Sequence, residues 1–179
     1  LAFVGGTHRT VPLPLREQLA FSAEQAAEAL ARFRDRFPGR EGVLLSTCNR
    51  VELYAAGESD SAPPPREQLV LFLAECRGID AGLLAPVLSG ESDEAVVRHL
   101  FSVAAGLDSM VLGEPQIVAQ VKQAWAIAQE SGTTGPLTSE MFQAALRTAK
   151  RVATETALGR ERLSIPSIAV TDFVSGVFE

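Results

Sequence analysis

Apolar and polar positions follow two regimes along the chain, and the change falls at about Ser92. Before it, short apolar runs bounded by turn residues alternate with helical periods. Residues 2–7 (AFVGGT) read as a strand ending in glycines, and residues 15–21 (LREQLAF), after Pro12 and Pro14, fit a short helix. Ser22 followed three residues later by Gln25 is a capping-box pattern that opens a helix running to about Phe37, where Pro38 and Gly39 stop it. Strands are predicted at 41–47 and 51–57, with Cys48, Asn49 and Arg50 in the turn between them. A polar, proline-rich loop (57–65), a helix (66–77) and a short strand near 86–89 complete this part. The order βαββαβ predicts an α+β fold, a two-layer sandwich of helices on a sheet.

From Ser92, read as an N-cap, the pattern is helical. Val96, Val97, Leu100, Phe101 and Ala104 mark one apolar face. The stretch GLDSMVLGEP (106–115) interrupts it, and Pro115 then opens a second helix with Ile117, Val121, Ala124 and Ala128 at core spacing. A third helix, about 138–156, carries Met141, Phe142, Ala145, Leu146 and Val152. Val170, Phe173, Val174, Val177 and Phe178 form an apolar stripe on a final helix with no stop signal, so the sandwich is followed by three to four helices.

Composition narrows the function classes. With 179 residues, 46% of them hydrophobic, and a formal charge of −6, the chain reads as a soluble globular protein and not as a generic polyanion binder. There is no run of about 18 apolar residues to span a membrane. Two cysteines without a CxxC pair fit a reducing, cytoplasmic setting, and two scattered histidines give no zinc-ligand spacing. Arg147, Lys150 and Arg151 share one helix face, which reads as a solvated face or as a phosphate-contacting one. No GxGxxG follows a strand, so the usual dinucleotide cradle is not legible in this chain.

Cys48 is the first candidate for chemistry. A free cysteine more often packs as a small hydrophobe. A turn exposes it, however; Thr47 and Asn49 flank it with hydrogen-bonding groups, and Arg50 offers positive charge that favours a thiolate. A nucleophilic thiol needs a proton carrier, and His8 and His99 are the two histidines. His99 falls off the centre of the Val96/Leu100/Ala104 face, toward Ala95 and Ser102, where it can line a cleft. His8, at the end of the first strand, can be structural through a ring hydrogen bond.

Three stretches carry a family resemblance: LLSTCNRVELY (44–54), HLFSVAAGLDSMVLGEPQIVAQVKQAW (99–125) and THRTVPLPLRE (7–17). The chain resembles glutamyl-tRNA reductase, the NADPH-dependent oxidoreductase that commits glutamate to tetrapyrrole (porphyrin) biosynthesis. The resemblance implies that Cys48 attacks the aminoacyl ester of glutamyl-tRNA to form a thioester, which NADPH reduces to glutamate-1-semialdehyde. It implies that Arg50 binds the glutamyl side-chain carboxylate, and that Thr47, Asn49, Ser109, Glu114 and Gln116 complete the substrate site. His99 would orient the ester or move protons. Thr7 stands where the family usually has Asn, and no role is carried onto that motif.

By the same resemblance, residues 1–157 are the catalytic domain and 158–179 a linker with the start of an interdomain helix. The NADPH-binding and dimerisation domains of the family, and with them a homodimer, would lie outside this chain. The fragment alone would then support acylation or ester hydrolysis but not reduction. Two other readings keep parts of this picture. A thiol-dependent aminoacyl-ester hydrolase or acyl-transfer enzyme uses Cys48 and His99 without any reduction, and a non-catalytic module holds charged tRNA or a partner protein without using the thiol.

Overall fold

A computed structural model describes residues 1–57, 61–114 and 116–159. The elements run β1 (Ala2–Thr7), α1 (Leu13–Leu19), α2 (Ala23–Arg36), β2 (Arg40–Ser46), β3 (Arg50–Gly57), α3 (Arg66–Arg77), α4 (Ala81–Leu84), β4 (Ser89–Ser92), α5 (Glu94–Ala104), α6 (Gln116–Glu130) and α7 (Pro136–Glu155), with a 3₁₀ turn at Ala157–Gly159. The strands form one antiparallel sheet in the order β2-β3-β1-β4. The expected βαββαβ order and the α+β class are therefore present.

Local signals act as expected at several boundaries. Ser22 and Gln25 form a reciprocal capping box at the start of α2. Gly78, at φ 65°, closes α3 in the left-handed conformation that glycine adopts without steric cost. Other boundaries move. The fourth strand lies at Ser89–Ser92, three residues beyond the expected place, so Ser92 is the last strand residue and not the cap of α5. Its register against β1 decides this: Ala2 pairs with Ser92 and Gly5 with Ser89. The four-residue helix α4 was not expected; Asp80 opens it by accepting a hydrogen bond from the Gly82 amide at 2.8 Å. Pro115 and the apolar stripe at 170–178 lie outside the described residues.

The trailing helices are not an appendage. All eight residues of β3 are buried, which requires cover on both faces of the sheet. On one face Phe33 of α2 and Phe37, which caps that helix, meet Phe72 of α3 edge to ring, and Gly42 of β2 leaves the room that Phe33 occupies. On the other, Tyr54 of β3 meets Phe142 of α7 at 5.4 Å between ring centres, and Phe3 of β1 packs on His99 of α5.

The start of α7, at Pro136 instead of about 138, is set from a distance. Glu41 of β2 is buried, and its carboxylate accepts from the Thr138 amide (2.7 Å), the Thr138 hydroxyl (2.6 Å) and the Leu137 amide (3.2 Å). A carboxylate here satisfies amides that have no intrahelical partner and meets the positive end of the helix dipole. Glu41→Ala is expected to lower unfolding free energy by about 3 kcal/mol, the scale of charge-assisted hydrogen bonds left unmade. Urea titration measures it; a loss under a quarter of that would mean the cap contributes little.

Candidate active site

The turn between β2 and β3 presents Cys48. The Thr47 amide donates to the Arg50 carbonyl at 2.8 Å, and the Thr47 hydroxyl accepts from the amides of Asn49 (3.1 Å) and Arg50 (3.2 Å). These bonds hold the backbone so that Cys48 is exposed at the tip. Two neighbours brace the turn from outside: the His8 amide donates to the Asn49 carbonyl, and Arg16 Nε donates to the Cys48 carbonyl at 3.2 Å.

Arg50 points the other way, into the protein. Its side chain is 2% exposed; Nη1 donates to Glu52 Oε1 (2.8 Å) and Asp108 Oδ2 (3.2 Å), and Nη2 to the Asp108 carbonyl (2.5 Å). Burial alone would weaken its hold on the proton, but the Glu52 and Asp108 carboxylates raise its pKa above the ordinary value. Arg50 therefore does not supply the net positive charge expected beside the thiol, because two carboxylates offset it. The guanidinium that touches the Cys48 backbone, Arg16, has no carboxylate partner among the described residues.

Glu52 is fully buried and is the hub of the site. Its Oε1 faces Arg50 Nη1 and, at 3.0 Å, His99 Nε2; its Oε2 accepts from the Tyr54 hydroxyl at 2.7 Å. Burial pushes its carboxyl pKa up, but the His99 hydrogen bond and the Arg50 charge outweigh that and hold it below the usual carboxylate range. The Tyr54 hydroxyl is pushed well above its ordinary value, by burial first and then by the Glu52 charge. His8 is moved the opposite way: burial and then the charges of Arg9, Arg16 and Arg50 lower its pKa. Its ring Nδ1 is buried without a described partner, so the ring hydrogen bond expected there is not formed at that atom.

The segment 106–113 lies over Arg50. Its ends are pinched together: the Gly113 amide donates to the Gly106 carbonyl at 3.1 Å, and both glycines have positive φ, 73° and 74°. A Cβ on Gly106 would come within 3.0 Å of Gly113 Cα, so the pinch requires glycine. The loop delivers Asp108 to Arg50, where Arg9 Nη1 also holds its other carboxylate oxygen at 2.8 Å.

Two cavities result. A tight one, about 20 Å³, is lined by Thr47, Cys48, Asn49, Arg50, Ser109 and Glu114, together with Gln120 and apolar neighbours. Gln116 is exposed at the first turn of α6 and does not line it; Gln120, one turn later, does. His99 lines a second cleft of about 470 Å³ with Ala95, Ser102 and Asp108, and the Arg50–Glu52–Asp108 cluster lies between it and the thiol turn. The spacing of Arg50, Glu52 and Tyr54, every second residue of one strand, is a signal by which Glu52 could have been found. Asp108 and Arg16 carry no such signal. No group of three or more metal-ligating side chains exists among the described residues, and no described helix is long and apolar enough to cross a membrane. On α7, Arg147, Lys150 and Arg151 are exposed, and Arg151 pairs with Glu155 on the same helix.

Comparison with known proteins gives this geometry a family. The family model for the N-terminal domain of glutamyl-tRNA(Glu) reductase matches residues 4–156. The chain belongs to the glutamyl-tRNA reductase family. It is 45% identical over 178 residues to the glutamyl-tRNA reductase of Rhodopirellula baltica, covering 99% of this chain and 42% of that protein. It is 44% identical to the one from Marinobacter nauticus, covering 96% and 39%. The solved glutamyl-tRNA reductase from Methanopyrus kandleri superposes with a TM-score of 0.75 at 32% identity, covering 97% of this chain and 39% of that one. The chain thus spans about two-fifths of the length of these family members, and its fold is that of the family's N-terminal domain.

Proposed function

We propose that this chain is the acylating part of an NADPH-dependent glutamyl-tRNA reductase. The observation that carries the reading is the exposed Cys48 thiol at a braced turn whose next residue but one is a guanidinium buried among carboxylates. In this reading the Cys48 thiolate adds to the ester carbonyl of glutamyl-tRNA, the bond to the tRNA oxygen breaks, and an enzyme thioester is left. The thiol proton leaves with the released oxygen. Thr47, Asn49, Ser109 and Glu114, which share with Cys48 a cavity of about 20 Å³, hold the glutamyl group once the 106–113 loop withdraws and the cavity widens; Gln116 contributes only if the start of α6 shifts. His99 serves from the adjoining cleft.

Arg50 reads the side-chain carboxylate, for which a planar two-pronged donor is suited. The Asp108 carboxylate and carbonyl occupy both of its Nη groups, so Asp108 stands where the substrate carboxylate would bind and must withdraw. Arg9, already on Asp108, gives it a cation to retain. Asp108→Asn is accordingly expected to lower the half-saturating concentration of glutamyl-tRNA about tenfold, the weight of one charge-assisted hydrogen bond. Thioester formation against substrate concentration measures this, and an unchanged or higher half-saturation point counts against displacement.

The donor of hydride, NADPH, supplies the reduction to glutamate-1-semialdehyde. The described residues do not fit it: the sheet is antiparallel throughout, and no glycine-rich strand–helix turn is present to cradle its phosphates. We propose that its site lies outside residues 1–159, and no step through it is derived from these residues. The family membership also supports tRNA as partner, a homodimer for the longer protein, a cytoplasmic setting and a place in tetrapyrrole biosynthesis.

The test is intact-protein mass after brief mixing with glutamyl-tRNA and no NADPH. A hydroxylamine-labile glutamyl adduct supports acylation, and its absence from folded protein with bound tRNA counts against it. Slow hydrolysis of that adduct would also make the chain behave as an esterase.

A further inference from the structure

His99 has two ring nitrogens, and the structure separates their roles. Nε2 lies 3.0 Å from Glu52 Oε1. Glu52 has Arg50 on the same oxygen and the Tyr54 hydroxyl on the other, and no part of it reaches solvent. An ionised carboxylate only accepts hydrogen bonds, so Nε2 must be the donor. The ring cannot exchange edges cheaply. Turning it over would set Cε1–H against Oε1 and leave a buried carboxylate one donor short, and Phe3 packs against the ring at 4.4 Å between centres. Nδ1 takes no described hydrogen-bond partner, and the ring lines the 470 Å³ cleft.

We propose that Glu52 is a positioning residue that fixes His99 as the Nε2–H tautomer, so that Nδ1 is the nitrogen left facing the cleft that Asp108 borders, and meets the ester once Asp108 withdraws as proposed above. The same carboxylate oxygen orients Arg50, so one buried group sets both the recognition of the substrate's acid and the handling of its proton. The inference rests on the acylation reading above. In that step the sulfur–carbon bond forms, the carbon–oxygen bond to the tRNA breaks, and the leaving oxygen gains the proton that the thiol lost. Nδ1 is the nitrogen of this ring that is free to take up that proton and return it.

Two measurements test it. Long-range ¹H–¹⁵N NMR of the histidine-labelled protein, with His99 assigned from His99→Gln, is expected to show a bare Nδ1 and a protonated Nε2. The Nε2 proton should exchange slowly, lie downfield, and disappear in Glu52→Gln. A protonated Nδ1 with bare Nε2 in the wild type overturns the proposal and needs no variant to fold. In thioester formation at saturating glutamyl-tRNA, Glu52→Gln and His99→Gln should each slow the rate about a hundredfold, with the double variant no slower than His99→Gln alone. At saturating substrate the part of Glu52's effect that acts through Arg50 on binding no longer limits the rate, so multiplying losses there would mean that Glu52 acts on the step independently of His99 and would overturn the positioning role. If the wild type forms no thioester at all, the acylation reading fails while the spectrum still decides the tautomer.

Discussion

Cys48→Ser is expected to abolish the glutamyl adduct, slowing its formation by about a thousandfold or more, as removal of a catalytic nucleophile does. Sulfur attacks as a thiolate, and a serine hydroxyl at the same place has no comparable anion available. Nothing in the fold depends on the thiol: Cys48 is exposed, and the turn is held by Thr47, His8 and Arg16 through backbone groups. The variant should therefore unfold at the wild-type temperature and still bind tRNA. Cys76 supplies the internal control, since it sits half-buried against the core, where burial pushes its thiol pKa up. Cys76→Ser should acylate like the wild type. An adduct that survives Cys48→Ser and vanishes in Cys76→Ser would move the chemistry to the other thiol; an adduct in neither variant nor wild type would support the non-catalytic reading.

The second large effect is at Arg50. Arg50→Gln leaves Glu52 fully buried with only His99 and Tyr54 as donors, and removes the donor to the Asp108 carbonyl. Breaking a buried ion pair from one side costs about 3–5 kcal/mol. For a chain of this size that is a fall in unfolding temperature of about 10 °C. Acylation should be lost as well, but instability alone could explain that. The paired variant Arg50→Gln with Glu52→Gln separates the two effects. With no unmatched charge left inside, stability should recover by most of the loss, while acylation stays absent because the carboxylate reader is gone. Circular dichroism melts and adduct mass measure the two readouts. A single variant as stable as the wild type would show that the ion pair does not hold the site, and a paired variant that acylates would remove Arg50 from substrate recognition. Arg50→Lys should fall between them, since one ammonium cannot serve Glu52 and both acceptors of Asp108.

The sequence by itself determined what rests on neighbours in the chain. The capping box at Ser22, the extent of α3 from Arg66 to Arg77 and the strands on either side of Cys48 follow from local hydrogen bonding and backbone preference, and they lie within a residue of where the pattern of residues puts them. The stretches around Cys48 and His99 pointed to the glutamyl-tRNA reductase family, to which the chain belongs. His99 could be placed off its helix's core face because helical periodicity alone fixes that angle.

What only the tertiary structure decided depends on groups far apart in sequence. The register of β4 comes from its pairing with β1, and the start of α7 from a carboxylate on β2. The cover over the second face of the sheet comes from helices whose own pattern says only that they have an apolar side. In the site, Arg50 read from sequence as an open cation beside a thiol. Burial beside Glu52 made it half of an ion pair, and the Gly106–Gly113 pinch, 58 residues away at Asp108, closed the other half. A charge buried in protein must find an opposite charge and enough hydrogen bonds. Which residue answers that demand is a matter of distance in space, and local spacing along the chain does not encode it.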